Sequence, residues 1–125
     1  MVEEKTIYGG MTTAEKEIAD YLYKINLYWL FEHPVFVLDE KDRPRVWTPD
    51  FYLPELGIYI EVCGEDRKCY SYREEIYKKN RIKVIFIHQF KDEKNWKDYL
   101  LTSIVKINQS REEKVVDSLL KSREQ

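Results

Sequence analysis

Apolar positions along the chain fall into short blocks of changing period. Thr12-Thr13-Ala14-Glu15 fits a capping box, with Glu15 three residues after the capping threonine. Ile18, Tyr21, Leu22 and Ile25 follow at helical spacing, which predicts a helix over 13–26. Pro34-Val35-Phe36-Val37-Leu38 reads as a strand, and Asp39-Glu40-Lys41-Asp42 as a polar turn. Val46 to Leu53 reads as a second strand, disturbed at Pro49, which has no N–H for a ladder. Pro54-Glu55-Leu56-Gly57 is a hairpin connection, and Ile58 to Cys63 a third strand ended by Gly64. Short turns join the three, so the expectation is an antiparallel meander.

A charged helix over about 70–80 comes next, with Ile76 and Tyr77 turned inward and Asn80 as its cap. Ile82 to Ile87 is an apolar fourth strand, and the strand-helix-strand crossover predicts that strands three and four run parallel. Two helices, about 93–108 and 111–123, complete the order α-β-β-β-α-β-α. The expectation is an α/β protein: a mixed β-sheet flanked by helices, in one domain over 1–125 with its core at about 12–90. Val115, Val116, Leu119 and Leu120 on the last helix could dock on their own domain or pair two chains as a homodimer.

Composition narrows the class. The chain has 125 residues, 43% hydrophobic and 35% charged, enough for one core and too apolar for a disordered tail. No apolar run approaches the roughly 18–20 residues of a membrane-spanning helix. The first residues, Val2-Glu3-Glu4-Lys5, are not an export signal, and Cys63 and Cys69 cannot build a disulfide scaffold, so a cytoplasmic protein is expected. Abundant Lys and Glu with scarce Gln and Asn match compositions suited to high temperature. The net charge of −2 argues against a basic nucleic-acid coat. Residues 41–81 nevertheless hold nine cations against eight acids, on a more acidic remainder.

Candidate chemistry centres on Thr48 to Gly64. Asp50 and Glu61 stand about level on neighbouring strands, and Glu61 interrupts the apolar run Ile58, Ile60, Val62. A carboxylate there needs a partner or a metal. Two hard oxygen ligands with a strand carbonyl such as that of Val62 suit Mg²⁺ or Mn²⁺. Read without a metal, the two acids are solvated residues on edge strands. Lys68, Arg73, Lys78 and Lys79 are cations near this segment, each most simply read as part of a solvated helix face. The cluster Asp66 to Arg73 mixes cations with aromatics and could clamp a nucleic-acid backbone or simply lead into the helix. Cys63 and Cys69 lack further close ligands for zinc. His88 at a strand end reads as structural, and no nucleophile-base motif or phosphate loop is present.

Pro49-Asp50, ten residues, then Glu61-Val62-Cys63-Gly64 resembles the PD-(D/E)XK nuclease superfamily. The resemblance spans roughly Thr12 to Ile87, and the block Thr48 to Gly64 is similar to junction-resolving and repair-type members. It implies the restriction-endonuclease-like fold and a metal-dependent endonuclease that hydrolyses phosphodiesters in DNA, acting on branched or damaged substrates. Asp50 and Glu61 would be the metal-binding acids, with the Val62 carbonyl beside them. Glu15, or its neighbour Glu17, would be the leading-helix acid, although the capping box alone also explains Glu15. Cys63 departs from the pattern by standing where the superfamily has its lysine, and a thiol supplies no cation. Arg73 or Lys68 would then replace that charge from the following helix. The alternative is a catalytically degenerate nuclease-fold module that binds nucleic acid or a partner protein.

Overall fold

The computed structural model describes residues 7–63, 69–88 and 95–123. After a 3-10 turn at Ile7–Gly10, the elements are α1 (Thr13–Lys24), β1 (Leu30–Phe31), β2 (Val35–Leu38), β3 (Pro44–Trp47), β4 (Phe51–Leu53), β5 (Ile58–Val62), α2 (Cys69–Lys79), β6 (Val84–Ile87) and α3 (Trp96–Arg123). They make a mixed α/β protein. The main sheet has the order β1-β4-β5-β6, with β2 and β3 in a separate two-stranded ribbon.

Helix boundaries follow local chemistry. Thr12 caps α1 reciprocally with Glu15: the Glu15 N–H donates to Thr12 Oγ1 (3.2 Å) and the Thr12 N–H to Glu15 Oε1 (2.9 Å). At the other end, Asn26 takes a left-handed backbone (φ 60) and the Leu27 N–H donates back to the Leu22 carbonyl. α2 closes in the same way one residue past Asn80. Arg81 is the left-handed residue (φ 58), and the Ile82 N–H reaches the Tyr77 carbonyl. Asn80 also ties α2 to the ribbon, since its side chain both donates to the Leu38 carbonyl and accepts from the Leu38 N–H.

The expected antiparallel meander is not formed as one sheet. The strand expected over 46–53 is divided: β3 ends at Trp47, β4 begins at Phe51, and Pro49 lies buried between them. Without its N–H, Pro49 cannot continue a ladder, and the chain changes sheets there. β2 therefore pairs only with β3, while the short β1 takes the edge beside β4. The observed order is α-β-β-β-β-β-α-β-α. The expected hairpin and crossover are present: β4 pairs antiparallel with β5, and β5 parallel with β6. Gly57, with φ 62, closes the β4–β5 turn.

One face of the sheet packs Phe51, Leu53, Ile58, Ile60, Ile85 and Ile87 against α1 (Ile18, Ala19, Leu22) and α3 (Trp96, Leu100, Ile104). On the other face, Ile76 and Tyr77 of α2 and Val37 of the ribbon form a second cluster with Trp47, Val84 and Phe86. Glu61 and Cys63 belong to this second face, by alternation from the inward Ile60. The ribbon turn is organised by Asp39, whose carboxylate accepts from the backbone of Lys41 and Arg43 (2.9 Å each) and from both arginines, Arg43 and Arg45. Burial alone would push this carboxyl up; the Arg43 N–H, the Arg45 guanidinium and the remaining donors outweigh it and hold it well below the usual carboxylate range.

The two expected C-terminal helices are one helix of 28 residues. Asn108 and Ser110 are modest helix formers around the better Gln109, and without a Gly or Pro they do not break it. Arg111 fastens it to the β4–β5 turn by donating to the carbonyls of Leu56 and Gly57 (2.8 Å to the latter). From residue 112 to 123 every position is exposed, so the apolar tail does not dock on the described part of its own domain.

Candidate functional site

The β4–β5 register pairs Phe51 with Ile60 and Tyr52 with Tyr59. Carried one step further, it sets Asp50 level with Glu61. The Tyr59 and Cys63 N–H groups point towards β6, donating to the carbonyls of Lys83 and Ile87. Residues 58, 60 and 62 therefore direct their peptide groups towards β4, and Asp50–Glu61 is a non-hydrogen-bonded pair, the kind whose side chains approach most closely. At Val62 the ladder should be completed by Pro49. Pro49 has no N–H to give to the Val62 carbonyl, and Asp50 Oδ2 takes the Val62 N–H instead, at 2.7 Å. The proline thus leaves the Val62 carbonyl without a ladder donor at position 49, beside a carboxylate, and both are hard oxygens of the type that Mg²⁺ and Mn²⁺ take as ligands.

Glu15 reaches the same place from α1. It is buried, and its side chain lies within hydrogen-bonding reach of Asp50 while it also serves the helix cap. Glu15 thus caps α1 and adjoins Asp50 at the same time. Glu17 is exposed and lines a different surface hollow with Asp20, Tyr21 and Trp96. Burial raises Asp50, the Val62 N–H opposes, and the charges of Glu61 and Glu15 raise it further; the result is a carboxyl pushed up to about 7.

Glu61 is 4% exposed and turns both oxygens towards α2. Oε1 accepts from the Tyr77 hydroxyl (3.1 Å) and Oε2 faces the Arg73 guanidinium (3.1 Å). Burial raises this carboxyl, against the lowering effects of Arg73 and Tyr77. Arg73 is itself held over the Trp47 ring, 5.1 Å from its centroid, and Trp47 packs edge-on against Tyr77. Arg73 and Tyr77 sit four residues apart on one face of α2, so both arrive at Glu61 from a single helix.

Cys63 follows Glu61 by two residues on the same sheet face and is 1% exposed. Burial, with the nearby charge of Glu61, pushes its thiol up to about 12, so it stays protonated and supplies no charge to the site. Of the other expected cations, Lys79 is committed to the ribbon, donating to the Asp39 carbonyl and to Asp42 (2.7 Å each). Lys78 is exposed. Lys68, with Asp66 and Arg67, lies outside the described residues. Among the described residues no group of three or more His, Cys, Asp or Glu side chains is disposed to hold a metal ion, because Glu61 is turned to Arg73 and Tyr77 rather than to Asp50.

Sequence reasoning missed three neighbours of the acids. The Tyr77 hydroxyl and the Trp47 ring are two; the i, i+4 spacing of Arg73 and Tyr77 was the available signal for the first. The third is a column of rings: His33 stacks on Tyr52 (5.1 Å) and Tyr52 on Tyr59 (4.4 Å). Tyr52 and Tyr59 are the cross-strand pair next to Asp50 and Glu61 on the same sheet face, so the column adjoins the carboxylates.

No protein-family model, no curated protein and no solved structure matches this chain.

Proposed function

We propose that this protein is a metal-dependent endonuclease of the PD-(D/E)XK type, with a restriction-endonuclease-like fold, acting on DNA. The observation that carries the reading is the placement of Asp50 level with Glu61 beside the β4–β5 hairpin, with Asp50 holding the Val62 N–H, Glu15 of α1 within reach of Asp50, and Arg73 brought to Glu61 from α2. Asp50, Glu61 and the Val62 carbonyl, with Glu15, would hold a Mg²⁺ or Mn²⁺ ion. Such an ion, when bound, supplies Lewis-acid stabilisation of phosphodiester charge and a water of lowered pKa.

The chain's own residues divide the remaining work. A guanidinium is a poor general base, so the part of Arg73 is to stabilise phosphate charge in place of a lysine at position 63. Trp47 and Tyr77 fix where Arg73 and Glu61 stand. The His33–Tyr52–Tyr59 column offers a ring face to an unpaired base, which favours branched or damaged DNA over an intact duplex.

Mg²⁺- and Mn²⁺-dependent cleavage of single-stranded, duplex and branched DNA tests the reading, with Asp50→Ala and Glu61→Ala as controls. Cleavage lost in both variants supports it. Absence of cleavage by the pure wild-type chain on every substrate, or cleavage that either variant retains, overturns it.

A second reading draws on Cys63 and on the Arg73–Glu61 pair. A buried neutral thiol at the lysine position and an acid already neutralised by arginine suit a degenerate module that binds nucleic acid or a partner protein without cutting. Metal-independent DNA binding without cleavage would select it. Among the described residues no helix is long and apolar enough to cross a membrane.

A further inference from the structure

α3 continues past the point at which its domain needs it. Trp96, Leu100 and Ile104 are buried and Arg111 is fastened to the β4–β5 turn, yet everything described after Arg111 is exposed. A second row of apolar side chains runs along the same helix. Leu101 (39% exposed), Val105 (53%), Val115 (58%) and Leu119 (66%) lie on it, with Asn108 and Glu112 between them. The six positions alternate in steps of four and three, the spacing of a two-stranded helical seam. At 100° per residue this row sits about 100° around the helix from Leu100, so the domain and a partner can use the two rows together.

The seam reads the same from either end: Leu, Val, polar, polar, Val, Leu. Such a segment is complementary to itself when reversed, the condition for an isologous two-fold contact. Centred on position 110, an antiparallel pair sets Leu101 against Leu119 of the second copy and Val105 against its Val115. The Asn108 amide then faces the Glu112 carboxylate, and Asp98 comes level with Ser122, beside Arg123. A parallel pair would set Glu112 on Glu112 and Asp98 on Asp98, so charge selects the antiparallel arrangement.

We propose that the protein is a homodimer joined by antiparallel pairing of α3 over residues 101–119. α3 runs from the C-terminal end of β6 back to the β4–β5 turn, so its tail leaves the domain at the end of the sheet away from Glu61. The two Asp50–Glu61 sites then face outward at opposite ends of the dimer. The pairing does not depend on the hydrolytic reading of those sites.

Sedimentation equilibrium of the full chain over a wide concentration range gives the mass, and Leu119→Glu is the breaking variant. Cross-linking reads the register. In a Cys69→Ser background, Leu101→Cys and Leu119→Cys chains are oxidised separately and as a mixture. The expected result is a wild-type dimer, a monomeric Leu119→Glu chain with unchanged near-ultraviolet dichroism, and a disulfide-linked dimer only in the mixture. Like positions lie about 27 Å apart along the seam in this arrangement, out of disulfide reach. A monomeric wild type, a dimer that survives Leu119→Glu, or a single-cysteine chain that cross-links to itself overturns the proposal.

Discussion

Replacing Asp50 by asparagine should stabilise the metal-free protein in alkaline solution and not in acid. A carboxyl whose folded-state pKa lies above its unfolded value holds its proton more tightly when folded. Its contribution is therefore fully present below the ordinary aspartate value of 3.8 and is lost as pH rises through about 7. At 1.36 kcal/mol per pH unit, that interval costs the wild type about 4 kcal/mol by the time Asp50 is fully ionised. The Asp50→Asn variant escapes this cost but gives the Val62 N–H a neutral acceptor in place of a charged one, a loss of about 1 kcal/mol. The net expectation is a gain of about 3 kcal/mol at pH 8.5 and little or no gain near pH 4.5. Urea unfolding at the two pH values, in excess chelator, measures it through the midpoint at constant m-value. Glu61 is raised in the same direction, so some pH dependence should survive in Asp50→Asn. Parallel pH profiles for the two proteins, or a less stable Asp50→Asn at high pH, would refute the reasoning.

Other consequences are separable. Arg73→Met strips Glu61 of its counter-charge and should destabilise the protein by about 1–2 kcal/mol at pH 8, with little effect in acid, where Glu61 is neutral; a pH-independent loss in urea unfolding would contradict the pair's role. Cys63 should resist thiol reagents in the native protein at pH 8 and react only after denaturation; in a Cys69→Ser background, rapid labelling of the folded chain would show the thiol accessible. Asp39→Ala removes the acceptor that organises the β2–β3 turn and should lower Tm by several degrees while leaving the β4–β5–β6 hydrogen bonds protected from exchange. Because the Asp39 pKa lies below its unfolded value, its stabilisation is present above about pH 4 and fades only in stronger acid, where the wild type and Asp39→Ala should converge.

Much of the framework was legible in the chain. The Thr12–Glu15 box, the apolar run Ile58–Val62 and the crossover through 70–80 each state a local rule that the fold obeys. The misread parts share a cause: tertiary pairing decided them. Nothing local says that the chain changes sheets at Pro49, since a proline in a strand pattern reads equally as an edge or a bulge. Leu30 and Phe31 are too few to register as a strand without β4 beside them. The break expected near residue 110 had no Gly or Pro to enforce it, and helix continuity through the Arg111 anchor overrode it. At the site, the level placement of Asp50 and Glu61 could be counted along the hairpin. The turning of Glu61 towards Tyr77 and Arg73 could not, because it depends on how α2 crosses the sheet. Lys68, expected as a second cation source, lies outside the described residues.

Titration of Mn²⁺ into metal-free protein, followed by calorimetry or by the electron-spin-resonance signal of the free ion, tests the central claim most directly. Saturable binding in wild type that is lost in both Asp50→Ala and Glu61→Ala, and kept in Glu17→Gln, is the predicted result. No saturable binding in wild type, or binding that persists in either alanine variant, would contradict a divalent-metal centre at Asp50 and Glu61.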